Sequence, residues 1–378
     1  MRIAIVKLSA IGDVVHALPA VAALRRALPA AHITWVVEKR AAAILKGSPA
    51  IDQLIELDTR VWRRRLFNRV TLAEVRECLT SLRGDVPVDV AIDFQGLLKS
   101  GLVVKATRAR RRVGFATADL REPLSRLFLT EQVATARYAH IIDKNLALAA
   151  AVVTNDPEKS GEYVAANAYE FPIALSAEDE RFADEAVSRR APRFAILNPG
   201  GGWPTKLWPA DRFGELADAL YEQHGLVSYV TFGPGEEDLA QRVVMKARSG
   251  AAQMIASTLK QFVALSRRSA LFVGGDTGPL HLAAAAGAPI VGLYGPTSPA
   301  RNGPFNPQDI SLGRDLACRV DCHRRSCWHW ECMEIAVSAV ARAAAIRLEG
   351  TGRRVELAPA LVQINTSRGA SIKRRQDG

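Results

Sequence analysis

The stretch from Leu271 to Pro299, LFVGGDTGPLHLAAAAGAPIVGLYGPTSP, constrains the fold of this chain more than any other. Leu271-Phe272-Val273 is a short apolar run of the kind that forms a buried parallel strand. The loop Gly274-Gly275-Asp276-Thr277-Gly278 permits tight turns, and Pro279 stands where a first helical residue would fall, with Thr277 or Gly278 as the cap. The helix continues from Leu280 to Ala286, Gly287 suits a left-handed C-terminal cap, and Pro289 to Tyr294 reads as the next strand. Strand, glycine loop, helix and strand in this order ask for an α/β layer with an open helix N-terminus. Unpaired N–H groups and the helix dipole favour an anion there, phosphate foremost. An ordinary α/β turn fits the same residues.

The same alternation recurs on both sides. Arg2 to Leu8 reads as a strand, Ser9 to Asp13 as its loop, and Val14 to Leu28 as a helix with Pro19 near its start. Strands are expected at Ile33 to Val37, Ile51 to Leu57, Val88 to Asp93 and Val113 to Phe115, and in the second half at Phe194 to Leu197 and Leu226 to Phe232. Each half opens with strand, glycine-containing loop and helix, which predicts two Rossmann-like units. The loose stretch between Leu146 and Ser188 holds the boundary, placing domains at 1–175 and 176–332, a C-terminal helix at 333–349 and a basic, disordered tail at 350–378.

At 378 residues the chain is long enough for two sizeable cores, and 48% hydrophobic with 24% charged residues is a globular balance. Lys7 and Asp13 interrupt any signal-like run, and no segment reaches the ~20 apolar residues of a membrane span, so the cytoplasm is expected. A net charge of +11 asks for an acidic substrate, an anionic lipid surface or nucleic acid as partner. Low aromatic content and the lack of a nucleic-acid motif argue against the last.

Candidate residues each carry two readings. Asp13 in the first loop is a helix cap or a general base whose carboxylate reaches a hydroxyl proton. Lys206 follows Gly200-Gly201-Gly202 and is a surface lysine or a mobile cation for a phosphate; no Walker sequence surrounds it. Glu236 and Glu237 after Gly-Pro-Gly complement a helix dipole or accept ribose hydroxyls. His281 is a packing residue or an anion contact in the first helical turn. Gln95 follows a strand end and can share a crevice with Asp13. The run Arg60 to Arg69 sets Arg60, Arg63, Arg64 and Arg65 beside Trp62 and Phe67, either a solvated basic face or a grip for phosphate and carboxylate. Cys318, Cys322, Cys327 and Cys332, with His323 and His329 among them, lack paired C-x2-C knuckles, so structural zinc and plain thiols stay open and no metal is assigned.

Taken together, IVKLSAIGDVVHALPAV, DFQGLLKSG, REPLSRLF with the later His140 and Asn145, LNPGGGWPTKLWP and GGDTGPLHLAAAAGAPIVGLYGPTSP resemble the bacterial lipopolysaccharide heptosyltransferases, heptosyltransferase I above all. The resemblance implies the GT-B fold: two Rossmann-like domains facing a central cleft, with the C-terminal helix crossing back. It implies inverting, metal-independent transfer of heptose from ADP-L-glycero-D-manno-heptose to Kdo of the lipopolysaccharide inner core, with no cofactor beyond the donor. Asp13 matches the general base and Lys206 the lysine that neutralises the departing phosphate. Gly201, Gly202, Lys206, Glu236, Asp276, Thr277, Gly278 and His281 match the donor site. Ser9, Gly12, Arg60, Arg63, Arg64, Gln95, Lys99 and Arg121 match acceptor positions. Asp276 is expected to order the loop or contact the donor rather than catalyse. Gly201 and Gly202 depart from threonines common in heptosyltransferase I, and the cysteine segment is nearer heptosyltransferase II.

The expected partners are Kdo-lipid A and the anionic inner-membrane surface, with the enzyme a monomer, peripheral on the cytoplasmic face and without nucleic acid. Heptosyltransferase II activity or another acceptor is the nearest alternative. A GT-B nucleotide-sugar epimerase, which would turn over donor without acceptor, is a second enzyme class, and a non-catalytic binding protein is a third reading.

Overall fold

In the computed structural model each half of the chain builds its own sheet, and the compact units are Met1–Ala177 and Glu178–Gly378. The structure describes residues 1–350 and 361–363, apart from 66–67, 85, 137, 139, 155–159, 191–192, 317, 319–321, 323–324 and 329. Phe67, His323, His329 and nearly all of the expected disordered tail therefore lie outside the described residues.

The first sheet comprises β1 (Arg2–Val6), β2 (His32–Glu38), β3 (Gln53–Leu57), β4 (Val90–Asp93), β5 (Arg111–Phe115) and β6 (Glu131–Val133), in the order β3-β2-β1-β4-β5-β6. All its pairs are parallel. The second comprises β7 (Phe194–Asn198), β8 (Val227–Thr231), β9 (Ala252–Ile255), β10 (Leu271–Gly275), β11 (Ile290–Leu293) and β12 (Ile310–Arg314), with β13 (Leu361–Gln363) added antiparallel beside β12. Read from β9, its order β9-β8-β7-β10-β11-β12 repeats that of the first sheet. In both, strand order reverses between the first and fourth strands, and ligands of open α/β sheets collect beyond the carboxyl ends at such a point.

Strand β1 is apolar on both faces because helices cover both, as parallel sheets require. The helix after it runs Ile11–Ala27, one turn earlier than the sequence suggests, with Pro19 in its interior. Proline there removes an internal hydrogen bond, but every residue from Gly12 to Leu24 except Asp13 is buried, so packing outweighs that loss. Its main helical neighbour is Ile141–Val153.

In the second unit, helix Ala210–His224 buries Phe213, Leu216, Ala217 and Leu220, and Trp208 meets Phe213 edge-on. It ends at Gly225, whose φ of 65° is the left-handed conformation glycine adopts without strain. Helix Val337–Glu349 packs on Ala210–His224 and on strands β10 to β12. Its Arg347 donates to buried Asp309 at 2.9 Å.

Candidate active site

In the first unit, buried Asp93 ends β4 and accepts from the N–H groups of Gln95 (2.9 Å) and Gly96 (3.0 Å) and from Ser100 Oγ (3.0 Å). Burial pushes its carboxyl up, against those bonds and the charge of Lys7. Gly96 has φ +69°, which lets the chain turn at once into helix Leu98–Ala106. Gln95 Oε1 then accepts from Leu8 N (3.1 Å) and Ser9 N (3.2 Å), and Lys7 Nζ donates to Phe94 O (2.7 Å). The loops after β1 and β4 are thereby joined at the point where strand order reverses.

Asp13 is the third residue of its helix, and its Oδ2 accepts from Ala10 N at 2.9 Å. Oδ1 takes no hydrogen bond among the described residues. Ser9 and Gly12 beside it are buried. Asp13 is therefore not the N-cap, which is Ala10, because the helix starts earlier than expected; it instead holds the cap's own N–H from the third helical position.

Lys99 lies 3.7 Å from Glu38 Oε1 at the end of β2. Glu38 also accepts from Thr59 N (3.3 Å) and Thr59 Oγ1, which fixes the start of helix Thr59–Arg64 beyond β3. That helix exposes Arg60 and Arg64, while the Arg63 side chain lies outside the described residues. Arg121 is exposed beyond β5; its neighbour Glu122 accepts from Leu98 N at 2.7 Å.

The second unit gathers its candidates more tightly. Lys206 Nζ donates to Asp276 Oδ2 (2.7 Å) and Asp276 O (2.9 Å) and stands 4.7 Å from the centre of the Trp203 ring. Asp276 Oδ1 is 3.1 Å from His281 Nε2 and 2.6 Å from Asn302 Nδ2. Burial works against ionisation of Asp276, yet the bond and charge of His281 and the ammonium of Lys206 hold its carboxyl well below the usual range. Gly275 must be small, because a Cβ there would stand 2.9 Å from Lys206 O.

Helix Gly278–Ala285 begins with Gly278, and Pro279 takes its second position rather than its first. Proline has no N–H to leave unsatisfied in that first turn. Gly287, at φ 84°, closes the helix as expected. Gly201 fits closely under Thr277, with a Cβ there 3.0 Å from Thr277 Cγ2, whereas Gly202 has nothing within 4 Å. Glu236 stands at the N-cap position of helix Glu237–Lys246 without a side-chain bond to that helix, and its carboxylate accepts from Gly233 N at 2.9 Å. Its carboxylate lies directly on Gly200, whereas Glu237 is exposed.

Sequence reasoning missed Glu38, Trp203 and Asn302. Glu38 had a signal, a lone acid closing the apolar run of β2. Asn302 had none, since its contact with Asp276 is made only by the fold. In the cysteine segment, burial and then the neighbouring thiols push Cys332 up. Among the described residues no group of three histidine, cysteine or acidic side chains could hold a metal, and no helix is long and apolar enough to cross a membrane.

Two sheets of this order, each with polar loops at its reversal point, are those of the GT-B fold class. The profile of glycosyltransferase family 9 (heptosyltransferase) matches residues 78–329. Lipopolysaccharide heptosyltransferase 1 of Pseudomonas aeruginosa is 31% identical over 86% of this chain and 87% of its own, and that of Escherichia coli K12 is 29% identical over 81% and 91%. The solved E. coli heptosyltransferase WaaC with ADP-2-deoxy-2-fluoro heptose is similar with a TM-score of 0.65 and 27% identity, covering 79% of this chain and 90% of that one. The chain belongs to glycosyltransferase family 9, the heptosyltransferases.

Proposed function

We propose that this enzyme transfers heptose, with inversion, from ADP-L-glycero-D-manno-heptose to a Kdo hydroxyl of the lipopolysaccharide inner core. One observation carries the donor half of this reading. The Lys206 ammonium is pinned by Asp276 beside the first turn of helix Gly278–Ala285, with Trp203 under it. Two of its three N–H donors engage Asp276 and the third serves a diphosphate oxygen. Asp276 orders this loop, Thr277 and Gly278 present backbone to the diphosphate, and Glu236, backed by Gly200 and Gly233, accepts the ribose hydroxyls.

Asp13 Oδ1 takes the proton of the acceptor hydroxyl as its oxygen bonds to the anomeric carbon. The bond from that carbon to the diphosphate breaks, and ADP leaves with its added charge balanced by Lys206 and the helix N-terminus. Ser9, Gly12, Gln95 and Lys99 shape the acceptor side, and Arg60, Arg63, Arg64 and Arg121 meet its carboxylates and phosphates. That charge supply is the protein's own, so turnover is expected to persist in a chelator. The net charge of +11 holds the enzyme, as a monomer, at the anionic cytoplasmic face of the inner membrane.

ADP release is the test, with Kdo-lipid A supplied bare or already heptosylated. Release only on the bare acceptor supports first-heptose transfer. Release only on the heptosylated one makes this a second-heptose enzyme, and donor turnover without acceptor makes it an epimerase. Failure to bind ADP or donor overturns the reading entirely.

A further inference from the structure

Helix Leu98–Ala106 and the turn Pro123–Phe128 cross in the first unit. The crossing is close because residue 101 is glycine: a Cβ there would stand 2.4 Å from the Phe128 ring. Phe128 turns inward at this seam and Ser125 is buried, which sends the other side chains of the turn outward. Leu124 and Leu127, three apart in a 3-10 segment, eclipse one another. They are 63% and 69% exposed. On the helix, Leu98 and Leu102 share a face at a spacing of four and are 39% and 57% exposed. Four leucines thus stand in water on two packed elements, a grouping that single scattered leucines on a soluble surface do not produce.

Their border is basic. Lys105 follows on the same helical face, 5.9 Å from the centre of the Phe128 ring, and Arg126 is exposed between the two leucines of the turn. The carboxylate at the seam, Glu122, is engaged by Leu98 N. Leucines rimmed by cations match the interface of an anionic bilayer, where apolar side chains enter the acyl boundary and cations meet headgroups. A protein partner of ordinary composition would not require that rim.

We infer that Leu98, Leu102, Leu124 and Leu127, with Lys105 and Arg126, form the surface by which this enzyme docks on an anionic membrane. The inference rests on the proposed lipid-linked acceptor but assigns a surface that the transfer chemistry does not need. It places the helix entry after β4, and with it the acceptor loops, at the headgroup level.

The full-length protein is sedimented with vesicles of phosphatidylcholine alone or mixed equally with phosphatidylglycerol. Wild type is expected to pellet with the anionic vesicles only. The double variant Leu124→Ser/Leu127→Ser should lose about tenfold or more in partitioning, as two withdrawn leucines predict. Lys105→Glu/Arg126→Glu should lose binding too, and should flatten the salt dependence of what remains. Transfer to a soluble, deacylated acceptor is measured in parallel and should be unchanged in both variants. If it fails in wild type as well, the proposed function is at fault rather than the surface. Equal vesicle binding by wild type and both variants overturns the inference, as does a leucine variant that shifts a dimer to a monomer in sedimentation velocity, since a second copy would then be the occupant.

Discussion

Glu236 leans on Gly200 so closely that an added Cβ would stand 2.0 Å from its Oε2. Gly200→Ala must therefore displace the carboxylate, whereas Gly202→Ala points into open space. The first is expected to weaken ADP binding about tenfold or more, by the ~1.5–3 kcal/mol of a hydrogen bond to a charged group lost when the carboxylate moves. The second should leave it within about twofold, as open surface sites do; isothermal calorimetry with ADP reads both. Asp13 makes a sharper test, since its two oxygens do different things. Asp13→Asn can still accept from Ala10 N through its amide oxygen but cannot take a proton. The rate of ADP release should fall by about 10²–10⁴, with ADP affinity and thermal midpoint unchanged. A comparable loss of thermal stability would mean that the cap, not the base, is what the residue supplies. Lys206→Met removes the cation from buried Asp276, whose other partners, His281 and Asn302, remain. We expect about 2–3 kcal/mol of destabilisation in urea, below the full cost of breaking a buried pair, together with a collapse of turnover.

The C-terminal helix Val337–Glu349 is anchored by one buried pair. Asp309, between β11 and β12, accepts from Ile290 N (3.0 Å) and Arg347 Nε (2.9 Å). Burial pushes the Asp309 carboxyl up to about 6, against the pull of Ile290 N–H and Arg347. An acid with a raised native pKa binds its proton more tightly folded than unfolded, so its contribution falls as pH rises from about 4 to about 6 and is level above. Arg347→Met takes away the cation and raises the native pKa further, extending that fall toward neutrality. Urea unfolding should show a loss of about 3–5 kcal/mol at pH 8 and a distinctly smaller one at pH 5, where Asp309 is neutral. An equal loss at both values would assign the effect to packing of the Arg347 stem alone. Elements also show where local reading works. Strands β1, β4, β7, β10 and β11 are continuous apolar runs followed by turn residues, β2 is such a run closed by an acid, and all were legible. Strands β6, β9 and β12 were not assigned, because β6 and β9 are short and half-exposed and β12 ends in a serine-glycine-arginine mixture. They exist because a neighbour's edge is there to pair with.

Across the whole molecule, each unit carries its own sheet and its own core, and all of the proposed donor residues fall in Glu178–Gly378. That unit expressed alone, as residues 178–378, should bind ADP within about threefold of the full chain and show no transfer, as expected of a domain with an independent core. Loss of ADP binding by a folded fragment would show that the first unit supplies a donor contact. The candidate site residues could be picked out in the sequence because their signals are local. A glycine loop after an apolar run, an aspartate in the first strand–helix loop and a lysine behind three glycines are each read within a few positions. The chain by itself therefore determined the two α/β units, the glycine loop and helix start around Gly278 where an anion is proposed to bind, and the residue types around it. Only the tertiary structure decided how each is held: Gln95 against the loop after β1, Glu38 between Lys99 and Thr59, Asn302 and His281 on Asp276, and Glu236 on Gly200. All of those contacts but His281 with Asp276 join residues 21 or more positions apart, and such a partner is chosen by strand order and packing rather than by neighbours in the sequence.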